Sequence, residues 1–347
     1  MSEERLIADR IADLPTPAEH RLLVGHDAPM EEFADAAGGG RMHHAWLLAG
    51  PKGIGKATAA FRIAARVLNG APLAHDAAIY RQIASGAQPG LLALTRPWDD
   101  KAKRFRTQLP IEEVRRTQAF FGFTGGGDRR VCIVDAADDM NASSANALLK
   151  ILEEPPRGSL FLVVAHSPGR LLPTIRSRCR TLAFKPLPRS QVTQVVRTLD
   201  PAHDDDEIKT AVRIADGAPR TALTILQGNV LKQFSRFETL ASGNPRWTDV
   251  HALAEAAAAR GGEFETFLDL VAGWIGERMR MEAKSAPDGR DRSLVRWAQL
   301  WEDARSSRQR ASVFNLDKKQ VVLDLLSRLF ETQARATTDR QALVREP

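Results

Sequence analysis

The residues with the clearest chemistry are Gly50-Pro51-Lys52-Gly53-Ile54-Gly55-Lys56-Ala57-Thr58. Glycines spaced ahead of a lysine let backbone N–H groups point at a phosphate, while the lysine reaches the outer oxygens and a hydroxyl directly after it ligates magnesium. Here Ala57 stands where that hydroxyl belongs. Thr58 follows, but one residue further along a helix is about 100° further round it, so Thr58 is a poor replacement. The spacing therefore predicts a phosphate site of Gly50, Gly53, Gly55 and Lys56, with Thr58 at its margin and the metal ligand lost. A plain glycine turn would leave Lys56 unexplained.

The second group is Val131-Cys132-Ile133-Val134-Asp135-Ala136-Ala137-Asp138. An apolar run ending in Asp135 puts a carboxylate at the end of a strand, where it can order a metal ion. A hydrolase then needs a following glutamate to polarise water, and Ala136 occupies that position. Asp138 is expected to face elsewhere. Losing a general base costs about a hundredfold to ten-thousandfold in rate, so hydrolysis by this chain alone is not expected. A third group, Thr174-Ile175-Arg176-Ser177-Arg178-Cys179-Arg180, is rich in arginine and precedes the last strand pattern.

These groups need a scaffold. His44 to Ala49 reads as a short buried strand and Ala57 to Leu68 as a helix with Ala60, Ile63, Ala64 and Val67 on its apolar face. Strand, glycine loop and helix N-terminus bring aligned amides and a positive dipole end to one point. Further strands are expected at Leu91 to Thr95, Val131 to Asp135, Leu160 to Ala165 and Thr181 to Phe184, with helices at Ile111 to Phe121 and Ala142 to Glu153. Such alternation predicts an α/β core, a parallel sheet with helices on both faces and ligands at the carboxyl ends of the strands. After Lys185-Pro186-Leu187-Pro188 only helical patterns follow. The expected domains are 1–186, a small helical one at 187–229 and an all-α one at 230–347. Trp274, Trp297 and Trp301 are expected in the core or a subunit interface of the last. The run Lys101, Lys103, Arg104 and Arg106 is expected to be a solvated loop, with phosphate contact the sharper alternative.

At 347 residues the chain is too long for one ordinary core. No apolar run reaches the roughly 20 residues of a membrane span, and the start, with Glu3, Glu4 and Asp9, lacks the pattern of a signal peptide; a cytoplasmic protein without membrane contact is expected. Cys132 and Cys179 are the only cysteines, too few for a disulfide framework or a four-cysteine zinc site. A formal net charge of +6 is compatible with a nucleic-acid partner.

Two further segments carry a resemblance. Asn146-Ala147-Leu148-Leu149-Lys150-Ile151-Leu152-Glu153-Glu154-Pro155-Pro156, followed by Leu171-Leu172-Pro173-Thr174-Ile175-Arg176-Ser177-Arg178-Cys179, resembles the signature of clamp-loader subunits of the AAA+ ATPase family. The resemblance spans the chain from Leu23-Val24-Gly25-His26, where family members line the adenine pocket. It continues through Asp216-Gly217-Ala218-Pro219-Arg220-Thr221-Ala222-Leu223, similar to a second sensor in a helical lid, to Asn315-Leu316-Asp317 in a C-terminal collar.

The resemblance implies ATP sites between neighbouring subunits, so that Arg178 would act in trans as an arginine finger on a neighbour's nucleotide. It implies a role for Arg220 at the phosphates and for Asp135 beside them, with ATP or ADP binding weak or absent. It also implies a place in the DNA polymerase III holoenzyme, hence classification with DNA-directed DNA polymerases without a polymerase site. The partners implied are gamma/tau-like motor subunits, a delta-like clamp-opening subunit, the sliding clamp and primed DNA. The zinc module of many relatives is not carried over, since Asn69 to Arg106 contains no cysteine, and His166-Ser167-Pro168 replaces a first-sensor threonine. A self-sufficient ATPase is the alternative, disfavoured by Ala57 and Ala136. A DNA-binding module with a relic loop is the third reading, and the dispersed charge disfavours it.

Overall fold

The structure is a computed structural model that describes residues 10–11, 14–39, 42–70, 77–122, 129–243, 245–259, 263–285, 292–313 and 316–343. Glu3, Glu4, Asp9 and Asn315, named above, lie outside the described residues. The chain divides into two compact units, Met1–Asp204 with Ala215–Ala222, and Asp205–Ile214 with Leu223–Pro347.

The first unit runs α1 (Asp27–Gly38), β1 (Ala45–Ala49), α2 (Lys56–Asn69), α3 (Ala77–Ala84), β2 (Leu91–Leu94), β3 (Trp98–Asp99), β4 (Arg104–Phe105), α4 (Ile111–Gly122), β5 (Arg130–Asp135), α5 (Ala142–Glu153), β6 (Ser159–Ala165), α6 (Pro173–Ser177), β7 (Arg180–Ala183) and α7 (Arg189–Leu199). Five strands form a parallel sheet in the order β2-β5-β6-β1-β7. Every residue of β6 is buried, which explains the unbroken apolar run. A parallel strand is covered on both faces, so both sets of alternating side chains must be apolar. One set, including Leu47, Val134, Phe161 and Val163, packs against Val114 of α4 and Leu148 and Leu152 of α5. The other, including Trp46, Leu48, Ile133, Leu162 and Val164, packs against Ala60, Ile63 and Ala64 of α2. The α/β layering read from the sequence is thus present, with the glycine loop joining β1 to α2.

Asn141 caps α5, its Oδ1 accepting the Ser144 N–H at 2.9 Å. The basic run is exposed to solvent, as expected, but a hairpin rather than a plain loop carries it. Lys101 and Lys103 lie in the turn of a two-stranded antiparallel hairpin, β3–β4, and Arg104 lies on β4, with Trp98 opposite Phe105.

In the second unit α8 (Asp205–Ile214) is grouped with the residues from Leu223 onward, while α9 (Pro219–Gln227) is divided between the two units. The other helices are α10 (Val230–Ser242), α11 (Trp247–Ala258), α12 (Glu263–Ser285), α13 (Arg292–Val313) and α14 (Lys318–Leu343), with α12 on α13, α13 on α14 and α11 on α14. Trp274 stands between Phe237 and Trp297, its ring centroid 5.4 and 6.5 Å from theirs. Trp301 lies against Gly276, where an added Cβ would come within 2.9 Å of the indole nitrogen. The tryptophans therefore pack within the helices. No helix among the described residues is long and apolar enough to cross a membrane.

The central strand sets the stability of the first unit. Leu162 is fully buried on the α2 side, so Leu162→Ala is expected to cost about 2–5 kcal/mol. Urea unfolding followed by circular dichroism checks this, and a loss under about 1 kcal/mol would contradict this account of the core.

Candidate functional site

The loop between β1 and α2 curls around its own lysine. Lys56 is 2% exposed, and its Nζ donates to the carbonyl oxygens of Gly50 at 2.6 Å and Pro51 at 2.5 Å. The backbone needs glycine to do this. At Gly50 an added Cβ would lie 2.3 Å from the Phe184 carbonyl oxygen, and Gly55 caps α2 with a φ of 107°. Gly53 O accepts the backbone N–H of Arg220 at 3.1 Å, so Arg220, at the start of α9, touches the loop through its main chain.

Burial pushes the Lys56 ammonium down to about 8, against the field of Asp135 and Asp138, which favours its charge. Asp135 ends β5, as its sequence position predicts. Asp138 acts on Lys56 through its charge but spends its hydrogen bonds on the turn after β6, its carboxylate accepting the backbone N–H groups of His166 and Ser167, each at 3.0 Å. The acid two residues past the missing glutamate is thus occupied in tethering the turn after β6. That tether was not foreseen, because nothing local in the sequence links Asp138 to a turn so far along the chain.

Thr58 is buried and lies 3.4 Å from His20 Nε2 through its Oγ1. It is committed away from the lost hydroxyl's position, in keeping with its place on the helix. His26 is buried too; its Nε2 pairs with Ile54 O at 2.6 Å and its ring meets Phe184 edge-on at 4.9 Å. Burial lowers its pKa, so its ring is held neutral beside the loop.

Arg178 follows α6. Its Nη2 lies 2.7 Å from Glu153 Oε1 and its Nη1 donates to Thr174 O at 3.1 Å. Both side chains of the ion pair are about one-third or more exposed, 35% and 42%, and an exposed pair of this kind contributes only about 0–1 kcal/mol. Ile175 and Cys179, on either side, are buried in the sheet–α5 core. The segment is therefore anchored inward while the guanidinium stays outside. A surface arginine paired with a nearby acid is a reading the sequence leaves open for Arg178; that the acid is Glu153, of the Leu152-Glu153-Glu154 signature, shows only in three dimensions.

The donor set fits a phosphate in part. Loop amides and Lys56 can face one if the phosphate replaces the two carbonyls as the partner of Nζ, whereas the Ala57 methyl offers magnesium nothing. Bound nucleotide would supply a phosphate chain to these groups. Among the described residues no group of three or more His, Cys, Asp or Glu side chains could hold a metal ion.

A parallel sheet flanked by helices, with a glycine loop and lysine at the carboxyl edge, defines an α/β P-loop domain. Residues 25–188 match the family model described as DNA polymerase III, delta subunit. Over 193 residues the chain is 36% identical to the DNA polymerase III subunit delta' of Pseudomonas aeruginosa, covering 53% of this chain and 56% of that one. It is 30% identical over 197 residues to the Escherichia coli subunit delta', covering 55% and 56%. It is also 33% identical over 220 residues to the Mycobacterium tuberculosis subunit gamma/tau, covering 60% and 37%. Over residues 25–188 the chain is thus similar to delta-prime-type subunits of DNA polymerase III. It spans little more than half the length of the delta' relatives just named.

The buried lysine gives a pH signature. Its folded-state pKa of about 8 lies below the ordinary 10.5, so between those values the unfolded chain holds the extra proton and stability contributed through Lys56 rises with pH. Below about 8 the ammonium is charged in both states and the burial penalty stands in full. Urea unfolding of wild type and Lys56→Met at pH 7 and pH 10 is expected to show the wild type gaining relative to the variant at the higher pH. No relative gain would mean that the ammonium is not desolvated as described.

Proposed function

We propose that the chain is a non-hydrolysing stator of the DNA polymerase III clamp loader, supplying Arg178 in trans to the ATP site of a neighbouring gamma/tau-like subunit. One contrast carries this reading: Ala57 and Ala136 remove the metal ligand and the water-activating base of its own site, while Ser177-Arg178-Cys179 is intact and its guanidinium is held at the surface by a weak pair. A chain built this way lacks its own chemistry and can still serve a neighbour's.

Arg178 must leave Glu153 to reach a neighbour's phosphates. A triphosphate offers more negative charge and several acceptors, so exchange of an exposed ion pair worth under about 1 kcal/mol is inexpensive. The finger then neutralises charge developing on the transferred phosphoryl group, as fingers do in related reactions. Lys56, Gly50, Gly53, Gly55, Asp135 and Arg220 contribute at most weak ATP or ADP binding to the chain's own loop. In this reading the subunit works in the cytoplasm beside gamma/tau-like and delta-like subunits, meets the sliding clamp and primed DNA through the assembly, and carries no zinc. It belongs to a DNA-directed DNA polymerase holoenzyme without polymerase chemistry of its own.

The test is ATP turnover by a reconstituted loader with clamp and primed DNA. Arg178→Ala is expected to leave assembly intact and slow turnover at the site it serves by about a thousandfold or more, while Lys56→Ala leaves total turnover near wild type. Unchanged turnover with Arg178→Ala would remove the finger role. Turnover by the isolated chain that disappears with Lys56→Ala would instead establish the self-sufficient ATPase.

A further inference from the structure

We propose that the β3–β4 hairpin is a docking site for single-stranded nucleic acid, separate from the phosphate loop. Lys101, Lys103 and Arg104 are exposed on it. The hairpin is braced from within. Asp99 Oδ1 accepts the backbone N–H groups of Lys101 and Ala102, each at 3.0 Å, and Asp99 Oδ2 meets Arg106 Nε at 3.6 Å. The acidic side chain just ahead of the basic run is therefore spent on shaping the turn and holding Arg106, and the other three cations face solvent. Asp100 is the remaining exposed carboxylate, leaving an excess of positive charge.

Beside these cations lie the two other elements that a single strand uses. Trp98 and Phe105 pair across the hairpin with ring centroids 5.1 Å apart and planes at 77°, both half-buried. They offer aromatic surface next to phosphate-binding charge, the combination on which unpaired bases stack. Between the hairpin and the start of α5 is a cleft of about 300 Å³, lined among others by Arg104, Arg106, Thr107, Gln108 and Asn141. Guanidinium, hydroxyl and amide groups are the kinds that bind phosphate and sugar.

Shape decides between single strand and duplex. Each strand of the hairpin is two residues long, about 7 Å at the usual rise, so it reaches along only about two base steps and offers unpaired bases a stacking face rather than a duplex a reading ribbon. Lys103 sits in a left-handed conformation with φ 50°. Glycine would take that conformation more easily, so the lysine can be removed without straining the turn. Binding at the hairpin needs neither nucleotide nor partner subunit, so it stands or falls apart from the clamp-loader reading.

The test uses the full-length chain alone. Fluorescence anisotropy with a 20-nucleotide oligothymidylate, titrated with salt, compares wild type with Lys101→Ala/Lys103→Gly/Arg104→Ala, whose fold is checked by its melting temperature. The expected result is about tenfold weaker binding at low salt and a slope of log affinity against log salt shallower by about 2, at roughly 0.7 for each phosphate the variant no longer neutralises. Equal affinity and slope in the two proteins would overturn the proposal, as would tighter binding of a blunt duplex of the same length. Independently of the variant, photocrosslinking wild type to a strand carrying 5-iodouracil is expected to label Trp98 or Phe105. Labelling confined to peptides outside 96–110 would overturn it.

Discussion

A lysine that is 2% exposed has to have its ammonium partnered, and the loop, the end of β5 and the turn after β6 meet that requirement at Lys56. Left alone it would cost several kcal/mol. The chain meets the demand with two carbonyls of its own loop, which curls tightly enough that only glycine fits against the Phe184 carbonyl. Two carboxylates, at the end of β5 and just after it, supply the opposing field, and one of them, Asp138, also holds the backbone after β6. The loop, the end of β5 and the turn after β6 are thereby one electrostatic unit, and a nucleotide phosphate entering it competes with bonds already made.

The Ser-Arg-Cys segment works by division of faces. Ile175 and Cys179 go into the core while Arg178 goes out, so the position of the guanidinium is fixed by packing and its partner is not. This separates a costly anchor from an inexpensive pairing.

The middle of the sheet was legible because β1, β5 and β6 are buried on both faces, so their sequences are continuous apolar runs rather than alternations, and glycine, proline and turn residues bound them. The loop was legible for a related reason: its backbone conformation admits few residues. What escaped the sequence was short or nonlocal. Strands of two residues leave no periodicity, so the β3–β4 hairpin read as a loop, and the five-residue α6 was equally faint. Asp138 finding His166 and Glu153 finding Arg178 depend on how the sheet folds, and no spacing announces them. Thr58 was placed at the edge of the site from helix geometry alone, and its neighbour His20 lies far back in the chain.

The two cysteines carry a different kind of information. Both sulfur atoms are buried in the same apolar cluster as α5, and burial pushes the Cys179 thiol up to about 12 and Cys132 higher still. A thiol in that state is a poor nucleophile toward oxidants and alkylating agents. Reaction at Cys179 therefore waits for the packing around it to open, and its labelling rate is a clock for the local unfolding of the very segment that positions Arg178.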